Sequence, residues 1–249
     1  MANAAVEFRD VVFGHAGGRR VLDGFSLSIA AGEVVAILGR SGAGKSTILR
    51  LVNRMLEPTR GHVLVDGRDT REWDPIRLRR RIGYVLQEGG LFPHLTVADN
   101  VAVVPTLEGW PAGAAQSRAA DLLALVGLPP GEFANRWPDQ LSGGQRQRVG
   151  VARALAADPP VLLMDEPFGA LDPITRAELQ QETARLQQQL AKTVLLVTHD
   201  VEEALLLANR ICIVEEGRLQ ACVDAAAFDA ADDPVIAALR DARLRRPPS

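Results

Sequence analysis

From Val34 to Thr47 the chain reads Val-Val-Ala-Ile-Leu-Gly-Arg-Ser-Gly-Ala-Gly-Lys-Ser-Thr. The apolar, β-branched run Val34–Leu38 predicts a strand buried on both faces, as in a parallel sheet. Gly39, Gly42 and Gly44 allow a tight loop with inward-pointing backbone N–H groups, and Lys45, Ser46 and Thr47 open a helix that continues through Leu49 and Leu51. The spacing G-x-x-x-x-G-K-[ST], filled here by Gly39, Arg40, Ser41, Gly42, Ala43, Gly44, Lys45 and Ser46, is that of a phosphate-binding loop. Glycines let the main chain approach a phosphate, and a helix N-terminus supplies donors and partial positive charge. Lys45 is placed as a compact point charge for the β- and γ-phosphates, and Ser46 puts a hydroxyl on Mg²⁺. The chain holds 26 arginines and only two lysines, Lys45 and Lys192. Lysine is thus kept where a three-donor ammonium suits and a planar guanidinium does not.

The 249 residues suffice for one large domain, or one with a subdomain, and an apolar content of 47% supports a full core. A net charge of −3 gives no case for general nucleic-acid binding. Cys212 and Cys222 fit no metal pattern and are expected as reduced thiols in a reducing compartment. The N-terminus lacks a charged-then-apolar signal, and no apolar run nears the ~20 residues that span a bilayer, so the chain is expected to be soluble by itself.

Val6–Phe13 and Leu22–Ile29 read as strands of a small antiparallel sheet. Past the first of them, His15 is either an aromatic that stacks on a nucleotide base or a turn histidine, and spacing alone favours the turn. The first helix is expected from Lys45 to about Leu56, before Pro58; a strand over Gly61–Val65 turns at Asp66-Gly67. Arg77, Arg79, Arg80 and Arg81 read as the solvated end of a helix rather than an anion patch. Ile82–Leu86 is a short buried strand with Gln87 just past its end. Ligands gather at the carboxyl ends of parallel strands, so Gln87 is placed to reach the metal or water of the phosphate loop.

From about Glu88 to Asp158 helical patterns replace strands, around 98–103, 115–126 and 145–157, which predicts an inserted helical subdomain. The core is expected over about 1–87 and 159–223. Within the insertion, Leu141-Ser142-Gly143-Gly144-Gln145 is either a second phosphate-binding element or a simple Ser-Gly-Gly helix cap. Val161–Met164 is a buried strand ending in Asp165, placed to hold Mg²⁺, and Glu166, placed to polarise a water against a γ-phosphate. A polar helix follows over Pro173–Leu190, with a Gln-rich solvated face. Thr193–Thr198 is a further strand that delivers His199 to the same edge, and Ile211–Val214 and Arg218–Val223 form a hairpin through Glu216-Gly217. The stretch from about 224 to 249 reads as a short helix and a frayed tail.

This constellation resembles the ATP-binding subunit of ABC transporters: Leu141–Gln145 matches that family's signature word for word, and the phosphate loop, Gln87, Asp165-Glu166, Asp172 and His199 follow in the family's order. The resemblance covers about residues 4–222. It implies an α/β fold of the P-loop NTPase type: a RecA-like parallel core, an N-terminal antiparallel β subdomain and an inserted α-helical subdomain. It further implies a head-to-tail homodimer sandwiching two ATP molecules with Mg²⁺. Each ATP would lie between Gly39–Thr47 of one subunit and Ser142, Gly143, Gly144 and Gln145 of the other. Glu166 would position the attacking water, His199 would contact the γ-phosphate, Gln87 would sense metal and partner, and Asp172 would cross the interface. The implied place is the cytoplasmic face of a bacterial cell membrane. The implied partners are integral membrane permease subunits and, indirectly, a substrate-binding protein; nucleic acid is not among them.

Asn53–Gly61, Gly90–Val104, Gly109–Pro111 and Met164–Arg176 look more narrowly like importers of quaternary-ammonium osmoprotectants such as glycine betaine, choline and carnitine. An importer ATPase for another small solute, and a non-transport ABC ATPase, are the alternatives. The family's base-stacking aromatic falls on His15. Many such subunits carry a tandem regulatory domain after the ATPase, for which the residues after 223 leave too little room.

Overall fold

Apolar and polar residues alternate over Phe25–Ile29 and more loosely over Val6–Phe13, and this builds a sheet with one dry face. In the computed structural model, which describes residues 4–15, 18–87 and 90–244, β1 (Ala4–Gly14) and β2 (Arg20–Ala30) pair antiparallel, with Phe8 opposite Leu27 and Val11 opposite Phe25. There follow β3 (Val34–Leu38), α1 (Lys45–Val52), β4 (Arg60–Val65), the two-residue β5 (Arg68–Asp69), α2 (Pro75–Arg80) and β6 (Ile82–Val85). Helices α3 (Val97–Leu107), α4 (Ala112–Leu125), α5 (Pro130–Phe133) and α6 (Gly143–Leu155) come next. The chain then runs β7 (Val161–Asp165), α7 (Pro173–Leu190), β8 (Thr193–Thr198), α8 (Val201–Leu207), β9 (Arg210–Glu215), β10 (Arg218–Asp224) and α9 (Pro234–Leu244).

Two compact units result, Met1–Leu78 with Ala191–Ser249, and Arg79–Leu190. The first unit holds an antiparallel sheet of order β2-β1-β4-β5. It also holds β3, paired parallel to β8 on one side and to β9 on the other, with β10 antiparallel at the edge beyond β9. All of β3 and β8 is buried, as the unbroken apolar sequence of β3 predicts. Each such Val, Leu or Ile contributes about 1.5–3 kcal/mol by leaving water. In the second unit β6 and β7 pair in parallel, and α3, α4 and α6 pack on one another over Val101, Ala119, Leu122, Leu123, Val149 and Ala152.

Three local expectations change. Helix α1 ends at Val52 rather than near Leu56, because Arg54 turns left-handed (φ 52°) and the N–H groups of Met55 and Leu56 close on the Arg50 carbonyl. Helix α8 is an addition: Asp200 caps it, its carboxylate accepting from the N–H groups of Glu202 and Glu203 at 2.9 and 3.3 Å. The expectation of two free thiols fails outright. Cys212 and Cys222 face each other across the β9–β10 pair with Cα atoms 4.1 Å apart, and they are joined as a disulfide. The turn at Glu216 (φ 48°) and Gly217 (φ 77°) sets the register that brings them together. The tail expected beyond α9, and Glu88-Gly89 after Gln87, lie outside the described residues. Among the described residues, no helix is long and apolar enough to cross a membrane.

Candidate functional site

In the first unit, the phosphate loop joins the end of β3 to the start of α1. Its shape is set by main-chain crowding. A Cβ on Gly39 would stand 2.3 Å from the Val214 carbonyl oxygen, so only glycine fits beside β9. Gly44 is left-handed (φ 98°) and caps α1 without a side chain, and the first turn of α1 carries no acidic residue. The N-terminal donors and positive dipole end of α1 are therefore aimed into the loop. Lys45 is 6% exposed, and its Nζ donates to the carbonyls of Gly39 (2.8 Å) and Arg40 (3.1 Å). Arg40, Ser41 and Gly42 are exposed at the rim, Ala43 is buried beneath them, and Ser46 and Thr47 are half-buried. A cleft of about 520 Å³ runs along the loop between Arg19, Arg20, Arg40 and Ser41 and the carboxylates of Glu215 and Glu216.

His199 follows β8, the parallel neighbour of β3, with Leu38 opposite Thr198. It therefore leaves the same sheet edge as the loop, and it shares a cavity of about 590 Å³ with Gly39 and Arg40 on one side and Val235 and Leu239 of α9 on another. His15 is exposed just past β1, its ring edge-on to buried Phe13 with centroids 5.3 Å apart. Phe13 thereby holds an imidazole at the surface, an arrangement compatible with either reading of His15.

In the second unit, β7 ends at Asp165 and β6 ends two residues before Gln87. The Tyr84 hydroxyl donates to an Asp165 carboxylate oxygen at 3.3 Å. Glu166 is half-buried and left-handed (φ 44°). That backbone costs a non-glycine residue on the order of 1–2 kcal/mol and persists only where the surrounding structure holds it. A Cβ built on Gly169 would lie 3.3 Å from Gln87 Nε2 and 3.7 Å from Glu166 Oε2, so these two side chains converge on one spot. The structure thus brings Gln87, Asp165 and Glu166 to the ends of adjacent strands, the place where parallel sheets bind ligands.

Ser142 caps α6, its hydroxyl accepting from the Gln145 N–H at 3.2 Å while Gln145 Oε1 accepts from the Ser142 N–H at 2.9 Å. This reciprocal box keeps the turn rigid with Ser142 and Gly143 exposed. Gly144 is buried against α7, where a Cβ would meet Thr175 Cγ2 at 2.4 Å. Asp172 is exposed nearby in sequence to Thr175, whose N–H it accepts at 3.1 Å; that bond holds its carboxyl below the ordinary aspartate range. Among the described residues, no three His, Cys, Asp or Glu side chains form a metal cage. Ser46 at the start of α1, and Asp165 at the end of β7, each carry a hard oxygen of the kind Mg²⁺ takes, an ion that fills most of its shell with water and phosphate.

Residues 22–169 match the family model described as ABC transporter. The chain belongs to the ABC transporter family. It is 51% identical over 203 residues to the glycine betaine/carnitine/choline transport ATP-binding protein OpuCA of Bacillus subtilis (strain 168), covering 82% of this chain and 53% of that one. It is 47% identical over 203 residues to the osmoprotectant import ATP-binding protein OsmV of Salmonella typhimurium, with the same shares covered. The chain thus spans about half the length of these curated relatives. A dimeric structure of the ATP-binding cassette MJ0796 bound to ADP and Pi superposes with a TM-score of 0.79 at 35% identity, covering 88% of this chain and 98% of that one. The ABC transporter component cbiO1 of Clostridium perfringens gives 0.83 at 28% identity, covering 98% and 96%.

The fold class expected from the sequence is therefore the fold found, a P-loop ABC cassette. Four polar residues of this ABC chain escaped the sequence reading: Tyr84 on Asp165, and Asn100, Gln147 and Arg153 around the segment after β6. Gln147 and Arg153 look like the wet face of a helix in sequence. Only the packing of α6 on β6 shows what they hold.

Proposed function

We propose that the chain is the ATP-hydrolysing subunit of an ABC importer that takes up a quaternary-ammonium osmoprotectant such as glycine betaine, choline or carnitine. The observation that carries this is its identity of about half, over 203 residues, with subunits named for those solutes. In this reading two copies pair head to tail around two ATP molecules. Gly39, Gly42, Gly44 and Lys45 bind the β- and γ-phosphates of one ATP, and Ser142, Gly143, Gly144 and Gln145 of the partner subunit close on it. Ser46 and Asp165 give oxygen donors to Mg²⁺, which screens the phosphate charge when bound. Glu166 accepts a proton from the attacking water, Gln87 orients that water, and His199 donates to the γ-phosphate. His15 gives the base a small stacking face.

The copies sit at the cytoplasmic face of the cell membrane against two permease subunits, with a substrate-binding protein on the far side. Phe92, 42% exposed just beyond Gln87, supports a docking role. Leu91, expected beside it in the same patch, is half-buried and contributes less.

The test is reconstitution with the neighbouring permease and binding protein. The wild type should copurify with the permease and drive ATP-dependent uptake of labelled glycine betaine, choline or carnitine. Phe92→Asp should retain ATP on an affinity column and lose both copurification and uptake. Uptake of some other solute would keep the importer and remove the substrate. Absence of any membrane partner would remove transport and leave a non-transport ABC ATPase.

A further inference from the structure

Polar side chains, two of them fully buried, fasten the chain on both sides of Gln87. Gln147 on α6 is 2% exposed, and its Nε2 donates to the Leu86 carbonyl at 3.2 Å. Arg153, half-buried on the same helix, donates from Nη1 to the Gly90 carbonyl at 2.7 Å and places its guanidinium 5.8 Å from the centre of the Phe92 ring. Burial lowers the pKa of that guanidinium from its ordinary value, as expected for a cation drawn out of water. From the other side Asn100 of α3, fully buried, accepts from the Phe92 N–H at 2.7 Å and donates to the Phe92 and Leu95 carbonyls, each at 3.1 Å.

Gln147 and Asn100 are buried so deeply that leaving them unbonded would be costly, so their tethers are built features, and Arg153 adds a charged donor to the Gly90 carbonyl beside the Phe92 ring. Gln147 and Arg153 belong to the helix that begins at Ser142. A helix is stiff along its length. Two tethers at different heights on α6 oblige the segment carrying Gln87 and Phe92 and the start of α6 to move together.

We propose that Gln147 and Arg153 are positioning residues that hold the Phe92 surface in register with Ser142–Gln145, so that a partner pressing on Phe92 carries the signature turn with it. The proposal rests on the reading of Phe92 as the permease-facing surface. It explains why an arginine is spent on a backbone carbonyl beneath an exposed phenylalanine.

The test has two arms. In the isolated chain, amide hydrogen exchange of Arg153→Ala should rise both near Gly90 and at Ser142–Gln145, with α4 unchanged; Arg153→Lys, which keeps a cationic donor and guards against a folding failure, should recover part of the protection. Unchanged exchange at Ser142–Gln145 in both variants would overturn the proposal, whatever the importer does. In the reconstituted transporter, Arg153→Ala should lower solute-stimulated kcat about tenfold with KM for ATP within about twofold. The Phe92→Ala, Arg153→Ala double variant should be no worse than the weaker single. Losses that multiply in the double variant would mean that Arg153 is merely structural and would overturn the proposal. A wild type that no quaternary amine stimulates would count against the substrate reading, while the exchange arm still decides the role of Arg153.

Discussion

The phosphate loop of the first unit and the Gln87–Glu166 cluster of the second are held in opposite ways. Around Gly39 the restraint is main chain against main chain, with Val214 at 2.3 Å from any added Cβ. Around Gly169 the tightest neighbour is a side-chain end, Gln87 Nε2 at 3.3 Å, while the Glu166 carbonyl oxygen at 3.5 Å and Glu166 Oε2 at 3.7 Å are at ordinary contact distance. Backbone does not yield, and side-chain ends do. The first region is shaped by main chain that cannot give, the second by side-chain ends that can.

The largest expected effect falls on the rigid region. Lys45→Ala should lower ATP affinity by more than about a hundredfold, because a charge-assisted set of donors is lost. Lys45→Arg should recover little, since a planar fork replaces a point charge. Equilibrium binding of a fluorescent ATP analogue measures both, and near-native affinity in Lys45→Ala would break the contrast at its base.

Alanine at the two glycines sharpens it. Gly39→Ala should cost about 1–3 kcal/mol in folding stability and abolish retention on ATP resin, since neither β9 nor the loop can give. Gly169→Ala should leave ATP binding intact and slow hydrolysis severalfold, because the Gln87 amide that orients the water has to give way by a few tenths of an ångström. Equal losses at both positions would show that the regions do not differ in stiffness.

The phosphate loop was legible in the sequence because its job is local: glycine spacing, one lysine and the following helix lie within fourteen positions of the chain. The ends of β7 and β8 were legible for a similar reason, as apolar runs that stop at Asp165-Glu166 and at His199. What the sequence concealed lies in pairings between distant segments. Nothing in the spacing of Cys212 and Cys222 says that the turn at Glu216-Gly217 sets them opposite each other. Nor does the Arg- and Gln-rich face of α6 say which of its side chains are buried against Leu86 and Gly90. Helix α1 was overrun for a local reason of another kind, a left-handed Arg54 that no residue preference announces.

That disulfide separates the regions again, since it lies in the unit of the phosphate loop. Closing so short a loop stabilises by about 2–3 kcal/mol. Reductant should therefore lower the thermal midpoint of the chain, and Cys222→Ser should make it indifferent to reductant. A midpoint that reductant leaves unmoved in the wild type would mean that the cross-strand bond does not form in solution.

The smallest effect concerns the base. His15 offers a smaller face than a tyrosine, and phosphate contacts do not distinguish bases, so ATP should be preferred over GTP by no more than about 1–2 kcal/mol. Competition between the two nucleotides measures this, and a preference of several orders of magnitude would place base recognition elsewhere in the chain.

The measurement that bears most directly on the account is the mass of Glu166→Gln in solution with ATP and Mg²⁺. This substitution keeps the shape of the side chain and removes the base, so ATP should bind to the phosphate loop and not be turned over. The account predicts a stable species of twice the 26.8 kDa of one chain, which reverts to the monomer in Lys45→Ala, Glu166→Gln. A monomer that hydrolyses ATP at the wild-type rate would contradict it, because neither Glu166 nor the paired arrangement would then be needed for the chemistry.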